Sequence, residues 1–439
     1  MAAAIAVIQD MDERHKPVKL ALKAWGDASR FAGSKDRAFV SGLVLDALRH
    51  RRSLGARMGG EGPRAVVLGA LGAGWGWALE RIAEAAADEA HGPGALSDDE
   101  ASRLGSPTAP EAAPAITGDY PDWLDARLER VFGEGRAEEA RALAARAPID
   151  LRINTLKTDP ARALKAIEAL GAAPAGLMIN ALRIPAPGPT DKAPPVEAIP
   201  EFGKGWFEVQ DLGSQIAAAA AGEIKGKQVL DLCAGGGGKT LALAAAMGNT
   251  GQLYAYDADG RRLADTVRRA ERAGVRNLQV RTPLRPDPLT DLPGKLDLVF
   301  VDAPCTGSGT WRRHPDAKWR LTEAQLEKRM AEQDAVLASA AEFVRPGGRL
   351  VYVTCSLLAE ENEDRIAAFL TGHPGFEIID ALDQIGASSQ VDTAGLEALA
   401  ARRTPEHALR LTPLSAATDG FFVAVMRRSP STPAAEGRP

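Results

Sequence analysis

The sequence predicts an α/β protein: a parallel sheet covered on both faces, preceded by a helical amino-terminal region and a small α+β module. Three observations predict it. Five apolar runs, KQVLDLC, GQLYAYD, NLQVRT, LDLVFVD and RLVYVTC, alternate with helical stretches beyond residue 200. Continuous apolar strands alternating with helices imply a parallel sheet buried on both faces. The first run passes through four consecutive glycines into a helix, the usual build of a ligand-binding βα turn. Residues 1–92 instead carry Ala, Leu, Val and Arg at helical spacing.

The chain has 439 residues, so more than one domain is expected. A content of 45% hydrophobic and 25% charged residues is that of a soluble globular protein. No apolar stretch is long enough to span a bilayer, and the start, MAAAIAVIQDMDERHK, has no basic segment ahead of its apolar run, which argues against a signal peptide. Three cysteines at strand ends do not form a disulfide framework, so a reducing cytoplasm is expected. Residues 1–60 hold 11 Lys+Arg against 6 Asp+Glu, and residues 61–120 hold 3 against 10. The basic start suits a polyanion partner, and a solvated helix face explains the same charge equally well. A monomer is the default expectation.

Along the chain, residues 1–92 read as helices in three stretches. Residues 93–118 are rich in Gly, Pro, Ser and acids and read as a linker with one short acidic helix. Residues 119–200 read as the small α+β module: helices in YPDWLDARLERVF and AEEARALAARA, a strand in IDLRINTL, and a helix in DPARALKAIEALGA closed by Gly171. The α/β domain occupies 201–428, with GFFVAVMRR as its last strand. The tail 429–439 is expected to be disordered.

Three ligand classes suit the turn DLCAGGGGKT. A phosphate loop needs glycine where Cys233 stands, and a dinucleotide fingerprint needs glycine where Thr240 stands. An S-adenosylmethionine loop is looser and accepts the sequence. The second strand ends at Asp257, where an acid is placed to accept the ribose hydroxyls of a nucleoside cofactor. Arg262, on the following helix, either supports Asp257 or is solvated.

The fourth strand ends in VDAPCTGSGTWRRHPDAKW and the fifth in VTCS. Ligands of open parallel sheets bind at the carboxyl edge of the strands. Asp302, Cys305 and Cys355 are therefore expected to face the glycine loop, with Cys233 a small filler beside it. Arg312, Arg313 and Lys318 are candidates for phosphate contacts; Trp311 and Trp319 either stack on bases or serve as packing anchors. No metal set is expected.

Two thiols beside a methyl-donor site point to pyrimidine chemistry. Carbon 5 of cytosine is a poor nucleophile. A thiolate added at carbon 6 makes carbon 5 nucleophilic, and thiolates both attack and leave readily. Asp302 is placed to hold or protonate ring nitrogen 3. A base must then remove the carbon-5 proton, and Cys305 is a candidate. The target base has to be unstacked to reach such a pocket.

At these residues the chain resembles the NOP/Sun family of RNA (cytosine-5)-methyltransferases. DLCAGGGGKT is similar to its cofactor loop, DAPCTGSGTWRRHPDAKW to its Pro-Cys motif, and TCSLLAEENE to its Thr-Cys motif. LRINTLK, FEVQDLGSQIAA and the terminal DGFF also resemble the family. KDRAFVSGLVLDALR resembles the NusB-like RNA-binding domain of the bacterial RsmB (Sun/Fmu) branch. The resemblance implies a Rossmann-like S-adenosylmethionine methyltransferase domain behind a helical NusB-like domain, acting on a cytosine of small-subunit (16S) ribosomal RNA. Transfer RNA and a non-catalytic role in ribosome assembly are the alternatives. The resemblance also implies Cys355 as nucleophile, Cys305 as the residue assisting product release, Asp302 at the base with Lys239 nearby, and a cofactor held by Cys233, Ala234, Gly235, Gly236, Gly237, Gly238, Lys239, Asp257, Arg262 and Asp302. Two departures stand out. Gly235 and Gly236 replace the family's Ala-Pro, which predicts a looser loop. Arg281 and Thr282 stand where the family has an acid near the adenine, which predicts weaker cofactor binding.

Overall fold

The computed structural model describes residues 1–106, 112–191, 194–284 and 286–430. Most of the expected disordered tail therefore lies outside the described residues. By internal contacts the chain forms two units.

The first unit comprises Met1–Ala147 with two later segments, Ala186–Pro194 and Thr310–Thr322. Its amino-terminal part is helical, as the spacing predicts, but divided more finely. Helices span Ala2–Arg14, Val18–Ala28, Ser34–Arg49, Arg51–Met58, Pro63–Gly69 and Leu79–Ala87. Pro17 separates the first two, since it has no N–H to continue a helix and instead precedes the next one. Gly59, at φ 78, ends the fourth. One face of each helix meets in a core around Ile8, Met11, Leu43, Leu48, Val67 and Leu68. The expected acidic helix is Asp98–Gly105, started by a reciprocal cap in which Ser97 accepts from Glu100 N and Glu100 accepts from Ser97 N. The helices Asp125–Phe132 and Arg136–Ala144, read from sequence as part of the α+β module, belong by contacts to this unit.

The second unit holds two sheets. Strands β1 (Ile149–Ile153), β2 (Ala173–Pro174), β3 (Ala181–Ile184) and β4 (Phe207–Val209) form an antiparallel sheet in the order β2-β3-β1-β4. The larger sheet is built from β5 (Gln228–Asp231), β6 (Gln252–Tyr256), β7 (Leu278–Arg281), β8 (Leu296–Asp302), β9 (Val344–Thr354), β10 (Phe376–Ile379), β11 (Leu409–Leu411) and β12 (Phe421–Arg428). Its order is β10-β12-β9-β8-β5-β6-β7, with β11 beside β12. The five predicted runs are β5 to β9 and pair in parallel, while β12 runs antiparallel to β9.

Alternation along these strands explains the two-sided cover. Val229, Leu298, Phe300, Val351 and Val353 face one layer with Leu212, Leu243 and Met247. Their neighbours Leu230, Val299, Val301, Leu350 and Tyr352 face the other, with Leu337, Ala340, Ile366 and Phe369. Each such side chain contributes roughly 1.5–3 kcal/mol by leaving water. The chain goes from β5 outward to β6 and β7, then crosses to β8 on the other side of β5. That reversal opens a crevice at the carboxyl ends of β5 and β8, where ligands of such sheets bind.

Candidate active site

The glycine turn fills one side of this crevice. Gly235 has φ 54, a left-handed conformation that a side chain disfavours, and an added Cβ there would lie 2.5 Å from Arg262 Nη2. Glycine thus lets the guanidinium lie across the turn. Gly235 N donates to Asp257 Oδ2 at 2.8 Å, Thr266 Oγ1 donates to Gly235 O at 2.9 Å, and Arg269 Nη1 donates to Gly236 O. The turn that lacks Ala-Pro is therefore held by side chains of β6's end and of the helix Gly260–Ala273.

A cavity of about 920 Å³ opens in front of the turn. Cys233, Ala234, Gly235, Gly236, Gly238, Lys239, Asp257, Arg262, Asp302, Cys305 and Cys355 all line it. Gly237 sits behind the turn instead, where an added Cβ would meet Thr266 at 2.9 Å. At Gly236 and Gly238 an added Cβ would meet nothing nearer than 3.6 Å and 3.8 Å, so the backbone there is open to a ligand. Ala303, Ala335 and Val336 supply apolar wall. A backbone cradle, an acid at the end of β6 and an apolar wall fit the amino-acid, ribose and adenine parts of S-adenosylmethionine. Asp257 also accepts from Asp259 N at 2.8 Å, and Arg262 Nη1 stands 3.5 Å from it. Arg281, where the family has an acid, is paired with Asp291 at 2.9 Å.

Directly after the turn, Lys239 Nζ donates to Asp302 Oδ2 at 2.7 Å. Burial alone would lower the Lys239 pKa, but the adjoining Asp302 carboxylate raises it above the usual lysine value, so the ammonium is retained. The two thiols face each other with Cys305 Sγ 3.3 Å from Cys355 Sγ. The hydrogen bond to Cys355, and then burial, push the Cys305 thiol well above its ordinary pKa. Cys233 is likewise raised, by burial and by Asp231, which keeps it a neutral packing thiol.

Several residues that the sequence reading passed over hold these groups. Asp231, fully buried at the end of β5, accepts from Thr240 Oγ1 at 2.6 Å, and burial pushes its carboxyl up to about 7. Thr354 Oγ1 donates to Asn362 Oδ1 at 2.6 Å, and Asn362 Nδ2 donates to Ser356 O at 2.9 Å, bracketing Cys355. Gly309 N donates to Cys355 O at 2.9 Å and Gly420 N to Gly309 O at 2.7 Å, joining the Pro-Cys loop to β9 and to the DGFF segment. A pattern search could have marked the polar run AEENE after VTCS; its burial is invisible in composition.

Two of the three expected phosphate contacts, Arg312 and Lys318, need correction, while Arg313 is only partly buried. Lys318 is 2% exposed and donates to Arg49 O at 2.7 Å inside the helical unit, and Arg312 is 4% exposed there, its carbonyl accepting from Arg49 Nη1 at 2.6 Å. Trp311 is buried and Trp319 Nε1 donates to Leu48 O at 2.7 Å. Both tryptophans are packing anchors. The segment is basic and aromatic because it docks into an interior whose carbonyls need donors.

A mostly parallel sheet with a glycine turn after β5 and an acid after β6, and a cavity fitted to a nucleoside methyl donor, define an S-adenosylmethionine-dependent methyltransferase of the Rossmann-like class. The family model described as 16S rRNA methyltransferase RsmB/F matches residues 221–427. The chain is 33% identical over 317 residues to a probable ribosomal RNA small subunit methyltransferase B of Synechocystis sp., covering 71% of this chain and 67% of that one. It is 32% identical over 311 residues to ribosomal RNA small subunit methyltransferase B of Sodalis glossinidius, covering 70% and 65%. Its fold is similar to the crystal structure of a methyltransferase homolog protein from Pyrococcus horikoshii, with TM-score 0.57, 27% identity, and 72% and 97% of the two chains covered. The chain belongs to the 16S rRNA methyltransferase RsmB/F family.

Proposed function

We propose that this methyltransferase forms 5-methylcytosine in small-subunit ribosomal RNA, with Cys355 as nucleophile and Cys305 as the residue that permits release. The observation that carries the reading is the pair of sulfurs 3.3 Å apart in the cavity that also holds the Lys239–Asp302 pair.

The steps follow from the groups present. The Cys355 thiolate forms a bond to cytosine carbon 6, and the electron pair of the 5,6 double bond moves to carbon 5. That charge spreads through the ring to nitrogen 3, where Asp302 meets it: a proton passed from the Lys239 ammonium through Asp302 to nitrogen 3 neutralises it. S-adenosylmethionine, when bound, supplies an electrophilic methyl group. Carbon 5 then carries both the methyl group and its original hydrogen. Cys305, 3.3 Å from the Cys355 sulfur, removes that proton once its own thiol proton has passed to solvent, and it ends as the neutral thiol. The C5–H electrons reform the double bond and the Cys355 sulfur departs.

In this reading the helical unit, with its basic first sixty residues, binds the RNA, and the enzyme acts as a cytoplasmic monomer. Among the described residues no helix is long and apolar enough to cross a membrane, and no cluster of His, Cys, Asp and Glu could hold a metal ion.

Incubation with methyl-labelled S-adenosylmethionine and protein-free 16S ribosomal RNA, followed by nucleoside analysis, tests the function. Label is expected in 5-methylcytosine. Label absent from cytosine, or present only when transfer RNA is supplied, refutes it.

A further inference from the structure

The two thiols are not held equally. Cys355 directly follows β9, whose ladders to β8 and β12 run up to Val353 and Thr354, and its carbonyl accepts from Gly309 N at 2.9 Å. Cys305 lies in a loop with no such ladder, held by the backbone of Gly307 and by side chains. One side chain dominates. Glu361 is fully buried, and its carboxylate accepts from Thr306 N at 2.8 Å, from Thr306 Oγ1, and from Gln333 Nε2 at 3.0 Å. Gln333 Nε2 also donates to Pro304 O at 2.9 Å. The residues before and after Cys305 are thus both tied to one carboxylate, the first through Gln333 and the second directly. Glu361 is itself anchored, its carbonyl accepting from Tyr352 OH at 2.7 Å within the sheet.

A buried carboxylate is costly unless its lone pairs are filled. The three donors give both carboxylate oxygens a partner, which offsets the cost of burial and leaves the loop little freedom. The charge also faces a cysteine loop: Glu361 is among the groups that raise the Cys305 pKa, after the Cys355 hydrogen bond and burial. Nothing in the methylation steps derived above uses Glu361.

We propose that Glu361 is the positioning residue for the release half of the reaction: through Thr306 and Gln333 its carboxylate keeps Cys305 against the Cys355 sulfur. This rests on the assignment of Cys305 to release. Replacing Glu361 then leaves attack by Cys355 largely intact and slows removal of the carbon-5 proton. The covalent protein–RNA adduct builds up.

The test uses the full chain with Glu361→Gln, and Thr306→Val as a milder variant should the first fail to fold. Glu361→Gln turns one acceptor into a donor that faces Thr306 or Gln333. Two readouts are taken beside Cys305→Ala. The first is adduct with methyl donor and RNA, seen on a denaturing gel. The second is the ratio of iodoacetamide labelling at Cys305 to that at Cys355 without RNA, by mass spectrometry. Glu361→Gln is expected to lower kcat by about tenfold or more, to accumulate adduct as Cys305→Ala does, and to raise the labelling ratio at least severalfold. Thr306→Val should move both in the same direction by less. A folded variant whose labelling ratio is unchanged, or which loses adduct formation and turnover in parallel, overturns the proposal. If Cys305→Ala itself traps no adduct, the assignment of Cys305 to release fails, and the labelling ratio alone decides whether Glu361 positions Cys305.

Discussion

Lys239 Nζ lies 2.7 Å from Asp302 Oδ2, on the wall of the cavity that holds both thiols. Lys239 is buried and Asp302 is about one third exposed, with side-chain exposures of 10% and 34%. The lysine therefore depends on the acid for compensation, while the acid keeps a face toward the cavity. Removing one partner of a fully buried pair costs about 3–5 kcal/mol; with Asp302 partly solvated, we expect about 1–3 kcal/mol for Asp302→Asn. Turnover should fall roughly 100-fold or more if, as proposed, Asp302 meets ring nitrogen 3. Denaturant unfolding and steady-state methylation measure the two effects.

The thiols should behave asymmetrically. Cys355→Ala is expected to abolish turnover and to form no covalent complex with RNA. Cys305→Ala is expected to trap one in the presence of methyl donor. A gel shift that survives denaturant reads the difference. Adduct appearing with Cys355→Ala instead reverses the two roles.

Asp231 makes stability depend on pH. Its folded pKa of about 7 stands above the ordinary carboxylate value because of burial. The folded state therefore binds more protons than the unfolded state between about pH 4 and 7, and this group's contribution is lost as pH rises through that window, by at most about 1.4 kcal/mol per pH unit. Asp231→Asn keeps an acceptor for Thr240 and removes the titration. Relative to the unsubstituted protein it should be more stable at pH 8 than at pH 5, as measured by urea midpoints at both values.

Gly309 and Gly420 touch back to back. A Cβ on Gly309 would lie 2.2 Å from Gly420 O, and one on Gly420 would lie 2.5 Å from Gly309 Cα. Both obstacles are backbone and cannot swing aside. Gly420→Ala should cost about 3 kcal/mol and should slow methylation, because Gly309 also holds the Cys355 carbonyl. Thermal unfolding and kcat should fall together, and Gly372→Ala, where an added Cβ meets nothing within 4 Å, serves as the control.

Much of the site can be read along the chain. Cys233, Asp302 and Cys355 each follow or close an apolar strand run, and parallel strands bring their carboxyl ends to one edge, so local pattern alone predicts their convergence. The short strands β10 and β11 leave no pattern in the sequence. Phe376–Ile379 is only partly buried and Leu409–Leu411 is three residues long, so neither carries a periodic signal. Arg312 and Lys318 differ from their expected role for another reason. Basic and aromatic residues suit a phosphate surface and a polar interior equally well. Only burial, at 2% exposure for Lys318 and 4% for Arg312, decides between them.

By itself, then, the sequence determined the α/β core, the methyl-donor turn and the pairing of two cysteines with one acid, because each depends on local periodicity or a short motif. The tertiary structure decided what depends on residues far apart in the chain. It set the 3.3 Å between thiols separated by 50 positions, the Lys239–Asp302 pair, and the burial of Glu361 against Thr306 and Gln333. Hydrogen bonds act over about 3 Å of space, whatever the separation along the chain.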